Sequence, residues 1–300
     1  MTSIDAWKQP PYIKPGDTIV GISPSGAIKD LAAVEKAREI VRSQGYNLEL
    51  DKHWNAHYGY LGGTDEQRRE ALLEALINPN YKGIIAGRGG YGVARLLEEK
   101  DWETILRKYP KWMIGFSDIT SLLWKLARVK IHSIHGPVLT TLAKEPKWSL
   151  KRLFNYLEGH PLPPLQGQGW GNGQAQGWLL PANLTVATHL LGTPLQPPLD
   201  GVILALEDVG EPPYRIDRML TQWRLMGAFD GVKGIALGRF SRSNGSSDSW
   251  TVEEVLGDRL GDLGIPIVSE LPFGHDGVNA ILPVGMKVML DGDEGILTRV

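Results

Sequence analysis

Hydrophobic and polar residues follow two different periods along the first half of the chain. Short apolar runs, typical of buried strands, alternate with stretches that are apolar at i, i+3, i+4 and i+7, the spacing of one helix face. The predicted strands are residues 18–22, 47–50, 83–86 and 112–116, and the predicted helices begin near residues 29, 64 and 119. Alternating strands and helices predict a parallel sheet covered on both faces, with functional sites at the carboxyl ends of the strands.

The second half of the chain has shorter predicted strands and one region of unusual composition. Residues 159–178 are rich in Gly, Gln, Pro and Trp, which predicts a linker. The strands predicted after it are residues 202–206, 234–237, 265–268, 287–290 and 295–298, the last two joined by a hairpin turn. We therefore predict an α/β fold, with an N-terminal parallel-sheet α/β domain over residues 1–158 and a smaller C-terminal β-rich α/β domain over 179–300.

The composition of the chain limits the binding partners and catalytic groups that such a fold can use. The 300-residue chain has a formal net charge of -2, which gives no electrostatic reason to expect nucleic acid or an anionic membrane as partner. It has no run of 18 apolar residues and no signal-peptide pattern at its start, so we expect a cytoplasmic protein. Because it contains no cysteine, thiolate metal sites are excluded, and covalent catalysis would use Ser, Thr, Lys, His or a carboxylate.

The junction between the fourth predicted strand and the next helix carries the strongest chemical signal. The apolar run ends in Gly-Phe-Ser-Asp at residues 115–118, so Ser117 lies where a buried strand turns into a helix. Such a turn exposes the hydroxyl at the positive end of the helix dipole. This position predicts that Ser117 is a nucleophile.

A serine nucleophile needs a base, and the base needs an orienting carboxylate. Of the seven histidines, His275 lies in a glycine-flanked loop after a predicted strand, whereas His189 falls among apolar residues of a predicted helix and is expected to be structural. The apolar strand at residues 201–206 ends in Glu207 and Asp208, which would either orient a base or simply begin a solvated loop. The order Ser117, Glu207, His275 is the nucleophile–acid–base order of α/β-hydrolases.

The glycine-rich segment at residues 87–92 allows three interpretations. It matches the G-x-G-x-x-G pattern of dinucleotide-binding turns, but it follows the third predicted strand and lacks the acidic residue expected about 20 positions later. Its backbone N–H groups could instead form an oxyanion hole. The third interpretation is a tight strand-to-helix turn without further function.

Several motifs in one order resemble the LD-carboxypeptidase family of serine peptidases, which includes the microcin C immunity peptidases. They lie at residues 87–92, 115–120, 135–137, 206–211 with 214–218, and 271–276. The resemblance implies a catalytic triad of Ser117, Glu207 and His275. It also implies an oxyanion hole from the backbone N–H groups of Gly90 and Asp118, a homodimer, and no metal or organic cofactor.

The activity implied by this resemblance is hydrolysis of the L,D-amide bond to the terminal D-alanine of muropeptide tetrapeptides during cell-wall recycling. Arg88, Tyr214 and Arg218 are predicted substrate-binding residues, the arginines because guanidinium binds carboxylate in a bidentate manner. The alternative for both arginines is a structural ion pair within the protein. Where the family typically has Gly-Gly, this chain has Pro181 and Ala182, which leaves the substrate open.

The sequence leaves three alternatives open. The first is a microcin-immunity-like amidase that detoxifies peptide-nucleotide compounds, in which Trp170 or Trp178 would stack on a nucleobase. The second is a nucleotide-binding enzyme that uses residues 87–92. The third is a muropeptide-binding protein without catalytic activity.

Overall fold

The computed structural model describes residues 6–98, 101–243 and 249–300. Their strands are β1 (Thr18–Ile22), β2 (Asn47–Leu50), β3 (Tyr81–Ala86), β4 (Trp112–Gly115), β5 (Ser133–His135), β6 (Leu165–Gln166), β7 (Gln168–Gly169), β8 (Gln174–Asn183), β9 (Val202–Val209), β10 (Gly234–Ser241), β11 (Ile267–Ser269), β12 (Leu282–Val284), β13 (Lys287–Asp291) and β14 (Ile296–Arg299). Their helices are α1 (Leu31–Ser43), α2 (Asp65–Ile77), α3 (Val93–Leu96), α4 (Trp102–Lys108), α5 (Thr120–Arg128), α6 (Leu139–Leu142), α7 (Lys147–Leu157), α8 (Leu184–Leu190), α9 (Pro213–Leu225) and α10 (Val252–Leu260). The predicted α/β fold class is confirmed.

The first of two compact units contains the chain up to Pro161 and the short segment Ala280–Gly285. Its six-stranded sheet has the order β12-β5-β4-β3-β1-β2. The five strands from the N-terminal part of the chain pair in parallel, and β12 pairs antiparallel to β5 at one edge. The parallel sheet predicted for the first half of the chain is therefore present, and the loops after β1, β3 and β4 lie at the same edge.

The second unit contains Leu162–Asn279 and Met286–Val300. Its eight-stranded sheet has the order β6-β14-β13-β8-β9-β10-β11-β7. Strands β8 to β11 are parallel, and the other four pair antiparallel to their neighbours. Residues 159–178, predicted as a linker, instead contribute β6, β7 and the first part of β8. Strands β6 and β7 are the two edge strands of this sheet, and in the sequence only Gly167 separates them.

A buried arginine fixes two loops of the first unit to one helix. Arg68 in α2 is 1% exposed, and its guanidinium donates to the carbonyl oxygens of Pro24 at 2.5 Å and Gly92 at 2.9 Å. It also pairs with Asp65 in the first turn of the same helix. The loop after β1 and the glycine-rich turn after β3 are therefore held to α2 by the same side chain.

We expect Arg68→Met to lower the free energy of unfolding by about 3 kcal/mol, because two buried carbonyl groups lose their donor. Urea denaturation followed by circular dichroism measures this loss. Arg42→Met, at an exposed position in the last turn of α1, is the matched control, and it should cost less than about 0.5 kcal/mol. Equal losses in the two variants would contradict the role assigned to Arg68.

Candidate active site

Ser117 has a backbone conformation that non-glycine residues rarely adopt. Its φ is 63°, in the left-handed region, and it follows the extended residue Phe116 at the end of β4. A short 3₁₀ turn, Ser117–Ile119, then leads into α5. Left-handed backbone at a non-glycine residue costs roughly 1 kcal/mol and is concentrated at functional sites. This is the geometry of a nucleophile turn between a strand and a helix.

The glycine-rich turn packs directly against Ser117. A Cβ atom built on Gly89 would lie 2.8 Å from Ser117 Cβ and 2.9 Å from its Oγ, so only glycine fits there. Gly90 follows with a φ of 128°, which also favours glycine. The turn that carries the predicted oxyanion-hole residue Gly90 thus lies beside the predicted nucleophile. The second predicted donor is the N–H group of Asp118, the residue that follows Ser117 in the chain.

The side chain of Asp118 joins three loops at the carboxyl edge of the sheet. Its Oδ2 accepts a hydrogen bond from Ser25 Oγ at 2.6 Å and another from the Val93 N–H group at 3.0 Å. The residue is 4% exposed, and burial raises the pKa of its carboxyl group while the two hydrogen bonds oppose that rise. Asp118 therefore fixes the turn at Ser117 against the loop after β1 and the start of α3.

The raised pKa of Asp118 predicts the sign of a pH effect. Above pH about 4 an aspartate of the unfolded chain has lost its proton, whereas Asp118 in the folded protein still holds one up to its raised pKa. The folded state then binds more protons, so the Asp118 contribution to stability falls as pH rises through this window. We expect the stability advantage of wild type over Asp118→Asn to shrink from pH 4 towards neutral pH in urea denaturation.

Asp262→Asn is the control for this pH effect. The exposed carboxylate of Asp262 pairs with Arg224, and this hydrogen bond holds its pKa below the ordinary value. The contribution of the Asp262 carboxylate to the stability of the folded state is therefore present above pH about 4 and is lost only on further acidification. A constant difference between wild type and Asp118→Asn from pH 4 to 7 would contradict the buried, proton-retaining carboxyl group.

Glu207 and His275 form a buried pair in the second unit. His275 Nδ1 lies 2.6 Å from Glu207 Oε2, with Glu207 fully buried and the His275 side chain 15% exposed. Glu207 lies inside β9, so the alternative that it begins a solvated loop is wrong. Because a carboxylate is an acceptor, the imidazole Nδ1 carries the proton of this bond, and Nε2 is then available to accept one.

Asn183 holds the second oxygen of Glu207. Its Nδ2 donates to Glu207 Oε1 at 3.2 Å and to Asp208 Oδ1 at 3.1 Å, while its Oδ1 caps α8 at the Val186 N–H group. Asp208 Oδ2 accepts two further hydrogen bonds from Thr185, and burial raises the pKa of Asp208. The Glu207 carboxylate is thus fixed by the end of β8 and the start of α8.

Pro181 and Ala182, which replace the typical family glycines, lie buried in β8 beside Ala205 and Leu206 of β9. They precede Asn183 directly, and the contact from Asn183 to Glu207 is present with this sequence.

The predicted substrate-binding residues occupy two places. Arg88 in the glycine-rich turn donates to the Ala27 carbonyl oxygen at 2.8 Å. Tyr214 and Arg218 lie on α9, where the Arg218 guanidinium is 5.3 Å from the centre of the exposed Tyr214 ring. Their role as substrate-binding residues stays a prediction.

Sequence analysis missed side chains that support the site, among them Asn183, Ser25 and Arg68. Ser25 follows β1, and its position at the carboxyl end of a strand in the parallel sheet was the signal that could have identified it. Arg68 offered no such signal, because an arginine on a helix is usually exposed.

Two features of the described residues bear on other kinds of function. Within residues 6–98, 101–243 and 249–300, no three His, Asp or Glu side chains are grouped so that they could hold a metal ion. Over the same ranges, none of the helices combines the length and apolar character needed to cross a membrane.

Comparison with known proteins gives a consistent result. Residues 19–136 match the family model of the LD-carboxypeptidase N-terminal domain, and residues 176–290 match that of the LD-carboxypeptidase C-terminal domain. A Synechocystis sp. protein named "Putative carboxypeptidase" is 56% identical over 97% of this chain and 96% of its own. The crystal structure of muramoyltetrapeptide carboxypeptidase from Oxalobacter formigenes is 31% identical, with a TM-score of 0.83 over 93% of this chain and 97% of that one.

A further solved structure shows the same fold. It is that of MccF in complex with glutamyl sulfamoyl guanosine, with a TM-score of 0.86 over 96% of this chain and 97% of that one. At 22% identity, this likeness shows the fold alone.

Proposed function

Because the chain belongs to the LD-carboxypeptidase family, we propose that it is a serine carboxypeptidase that releases the terminal D-alanine of murein tetrapeptides. The observation that carries this proposal is the contact of 2.6 Å between His275 Nδ1 and the buried carboxylate of Glu207. A base oriented in this way is the partner that an activated serine needs. Ser117, held in a left-handed turn against the glycine-rich segment, is the proposed nucleophile. The name of the Oxalobacter relative supports a murein peptide as substrate.

In the proposed reaction, His275 Nε2 takes the hydroxyl proton of Ser117 while Oγ forms a bond to the carbonyl carbon of the scissile amide. Glu207 stabilises the imidazolium that results. The N–H groups of Gly90 and Asp118 donate to the oxyanion, and such donors are worth roughly 3–4 kcal/mol each in comparable sites. His275 then protonates the nitrogen of the departing D-alanine. A water molecule, deprotonated by His275, hydrolyses the acyl ester and restores the serine.

The nucleotide-binding alternative is not favoured by the packing of the glycine-rich turn. A Cβ atom at Gly89 would meet Ser117, and one at Gly92 would lie 2.8 Å from an Arg68 nitrogen. Contacts within the protein therefore account for these glycines without a pyrophosphate. The microcin-immunity-like alternative is not favoured either, because the MccF likeness, at 22% identity, shows the fold alone, whereas the muramoyltetrapeptide carboxypeptidase from Oxalobacter formigenes is 31% identical.

Mass spectrometry of a peptidoglycan tetrapeptide incubated with the purified protein tests the proposal. We expect loss of one C-terminal alanine with the wild-type protein and none with Ser117→Ala. No cleavage of any D-alanine-terminated tetrapeptide would overturn the proposed activity. Cleavage by both proteins would overturn the assignment of the nucleophile. The cytoplasmic location and the homodimer stay predictions.

A further inference from the structure

The loop that follows β1, residues 23–27 and called the β1 loop below, contacts both segments that carry the proposed oxyanion donors. The N–H group of Gly26 donates to the carbonyl oxygen of Gly89 at 3.2 Å. The Ser25 hydroxyl donates to the Asp118 carboxyl group at 2.6 Å. Asp118 carries one proposed donor itself, and Gly89 directly precedes the residue that carries the other.

The hydrogen bond from Gly26 fixes the direction of the Gly90 N–H group. The carbonyl oxygen of Gly89 and the N–H group of Gly90 belong to one planar peptide unit, and in a trans peptide they point in opposite directions. None of the peptide bonds of the described residues is cis. Holding the Gly89 oxygen against the β1 loop therefore turns the Gly90 N–H group away from that loop. A peptide between two glycines needs such a contact, because glycine backbone is conformationally permissive.

Gly26 is a glycine because of this close approach. A Cβ atom built on Gly26 would lie 2.8 Å from the Gly89 carbonyl oxygen, although the backbone of Gly26 is outside the left-handed region. A Cβ atom on Gly90 would in turn lie 3.3 Å from the Gly26 nitrogen. The β1 loop and the glycine-rich turn are thus packed backbone to backbone, and a methyl group at residue 26 would displace the Gly89 carbonyl group.

The β1 loop is itself held by neighbouring segments. The Ser25 carbonyl oxygen accepts from the Gly62 N–H group at 2.9 Å, and the Ala27 N–H group donates to the Tyr60 carbonyl oxygen at 3.2 Å. Arg68 donates to the carbonyl oxygen of the proline in this loop. The Ser25 side chain is also fully buried. The loop is therefore a fixed element against which the two donor segments can be oriented.

We propose that the β1 loop positions both donors of the proposed oxyanion hole, with Ser25 acting through the Asp118 carboxyl group and Gly26 through the peptide between Gly89 and Gly90. The inference rests on the proposed carboxypeptidase function. Ser25 and Gly26 are positioning residues, because each acts through another residue. The donors are oriented before the substrate binds, so they need no rearrangement when charge develops on the carbonyl oxygen.

Steady-state kinetics of Ser25→Ala and Gly26→Ala on a tetrapeptide ending in D-alanine test the inference. We expect kcat to fall roughly 10- to 100-fold while KM stays within about threefold, because the donors bind charge that develops only in the transition state. A tripeptide that ends in an aldehyde forms an oxyanion when Ser117 Oγ bonds to its carbonyl carbon. The affinity for this aldehyde should fall by the same factor as kcat, whereas the affinity for the tripeptide product should not change.

Gly83→Ala and Ser121→Ala are the matched controls in the same unit. A Cβ atom built on Gly83 would meet only ordinary contacts, the nearest at 3.6 Å. Ser121 is a buried serine whose Oγ has no hydrogen-bond partner among the residues that the structure describes. Both variants should keep kcat and aldehyde affinity within about twofold of wild type, because neither change removes a hydrogen bond or forces a displacement.

Two results would overturn the positioning role while the carboxypeptidase function stands. One is a kcat within about twofold of wild type in either Ser25→Ala or Gly26→Ala. The other is an equal loss of affinity for the aldehyde and the tripeptide product, which would indicate a general loss of structure.

If wild type releases no alanine from the tetrapeptide, the proposed function fails. The NMR chemical shift of the Gly90 amide proton then tests the β1 loop alone. It should change in Gly26→Ala and stay the same in Gly83→Ala. An unchanged shift in Gly26→Ala would mean that Gly26 does not orient the Gly90 N–H group.

Discussion

Ser117→Ala is expected to lower kcat for tetrapeptide hydrolysis by about 10⁴-fold or more, the size of loss seen when a triad serine is removed. The change deletes Oγ, the atom that would bond to the scissile carbonyl carbon. It leaves the proposed oxyanion donors and the Asp118 contacts with Ser25 and Val93 in place. Alanine meets the same steric limits as serine at a φ of 63°, so the turn should persist. Release of D-alanine, quantified by mass spectrometry, measures the loss.

Ser43→Ala is the matched control for this experiment. Ser43 is an exposed residue at the end of α1 whose hydroxyl donates to the Ile40 carbonyl oxygen. Its removal should leave kcat within about twofold of wild type, as expected of a surface substitution. Thermal melts of both variants should stay close to that of wild type. If Ser117→Ala kept more than a tenth of wild-type kcat, another residue would have to be the nucleophile.

The periodicity of the first half of the chain predicted most strands of the sheet in the first unit. There are physical reasons why β5 and β12 were not predicted. Strand β5 is only three residues long and contains Ser133 and His135, which read as polar although both are buried. Strand β12 contains Pro283, which argues against a strand because proline cannot donate to a neighbour. It is tolerated because β12 lies at the edge of the sheet.

The glycine-rich region at residues 159–178 shows a different limit of sequence reasoning. A Cβ atom on Gly167 would lie 2.2 Å from the Ser269 carbonyl oxygen, and one on Gly169 would lie 2.1 Å from that of Gly292. These glycines permit close backbone approach between strands that are more than 90 residues apart in sequence. A flexible linker has the same local composition. Only the partner strands distinguish closely packed strands from a flexible linker, and a local sequence pattern contains no information about those partners.

The candidate site was predictable to the extent that each residue has a local signature. Ser117 lies at a strand-to-helix junction and Glu207 near the end of an apolar strand, and both features can be read from neighbouring residues. The contacts of Glu207 with His275 and of Ser25 with Asp118 join residues 68 and 93 positions apart. Such contacts depend on strand order and register. Sequence reasoning therefore predicted Ser117, Glu207 and His275 from local features, whereas Ser25 and the contacts of Glu207 and Asp118 came from the structure.

Glu207→Gln is the second substitution with a large expected effect, a loss of about 10³–10⁴-fold in kcat, as found when the orienting acid of a serine triad becomes an amide. Glutamine keeps the shape of the side chain, and its oxygen can still accept from Asn183. Its NH₂ group would then face His275 Nδ1 and act as a donor. The imidazole would adopt the tautomer with its proton on Nε2, the nitrogen that has to accept the proton of Ser117.

Asp276→Asn is the control that separates this tautomer effect from a general loss of negative charge near His275. Asp276 is adjacent in sequence, and its exposed carboxylate pairs with Arg242 at 3.0 Å. An exposed pair of this kind contributes at most about 1 kcal/mol to stability, so this variant should retain most of its kcat. Nitrogen-15 NMR reports the tautomer of the His275 ring, which would not change if the role of Glu207 were merely structural. It should show the Nδ1 proton in wild type and the Nε2 proton in Glu207→Gln. Wild-type tautomer and near-normal kcat in Glu207→Gln would mean that Glu207 does not orient the base.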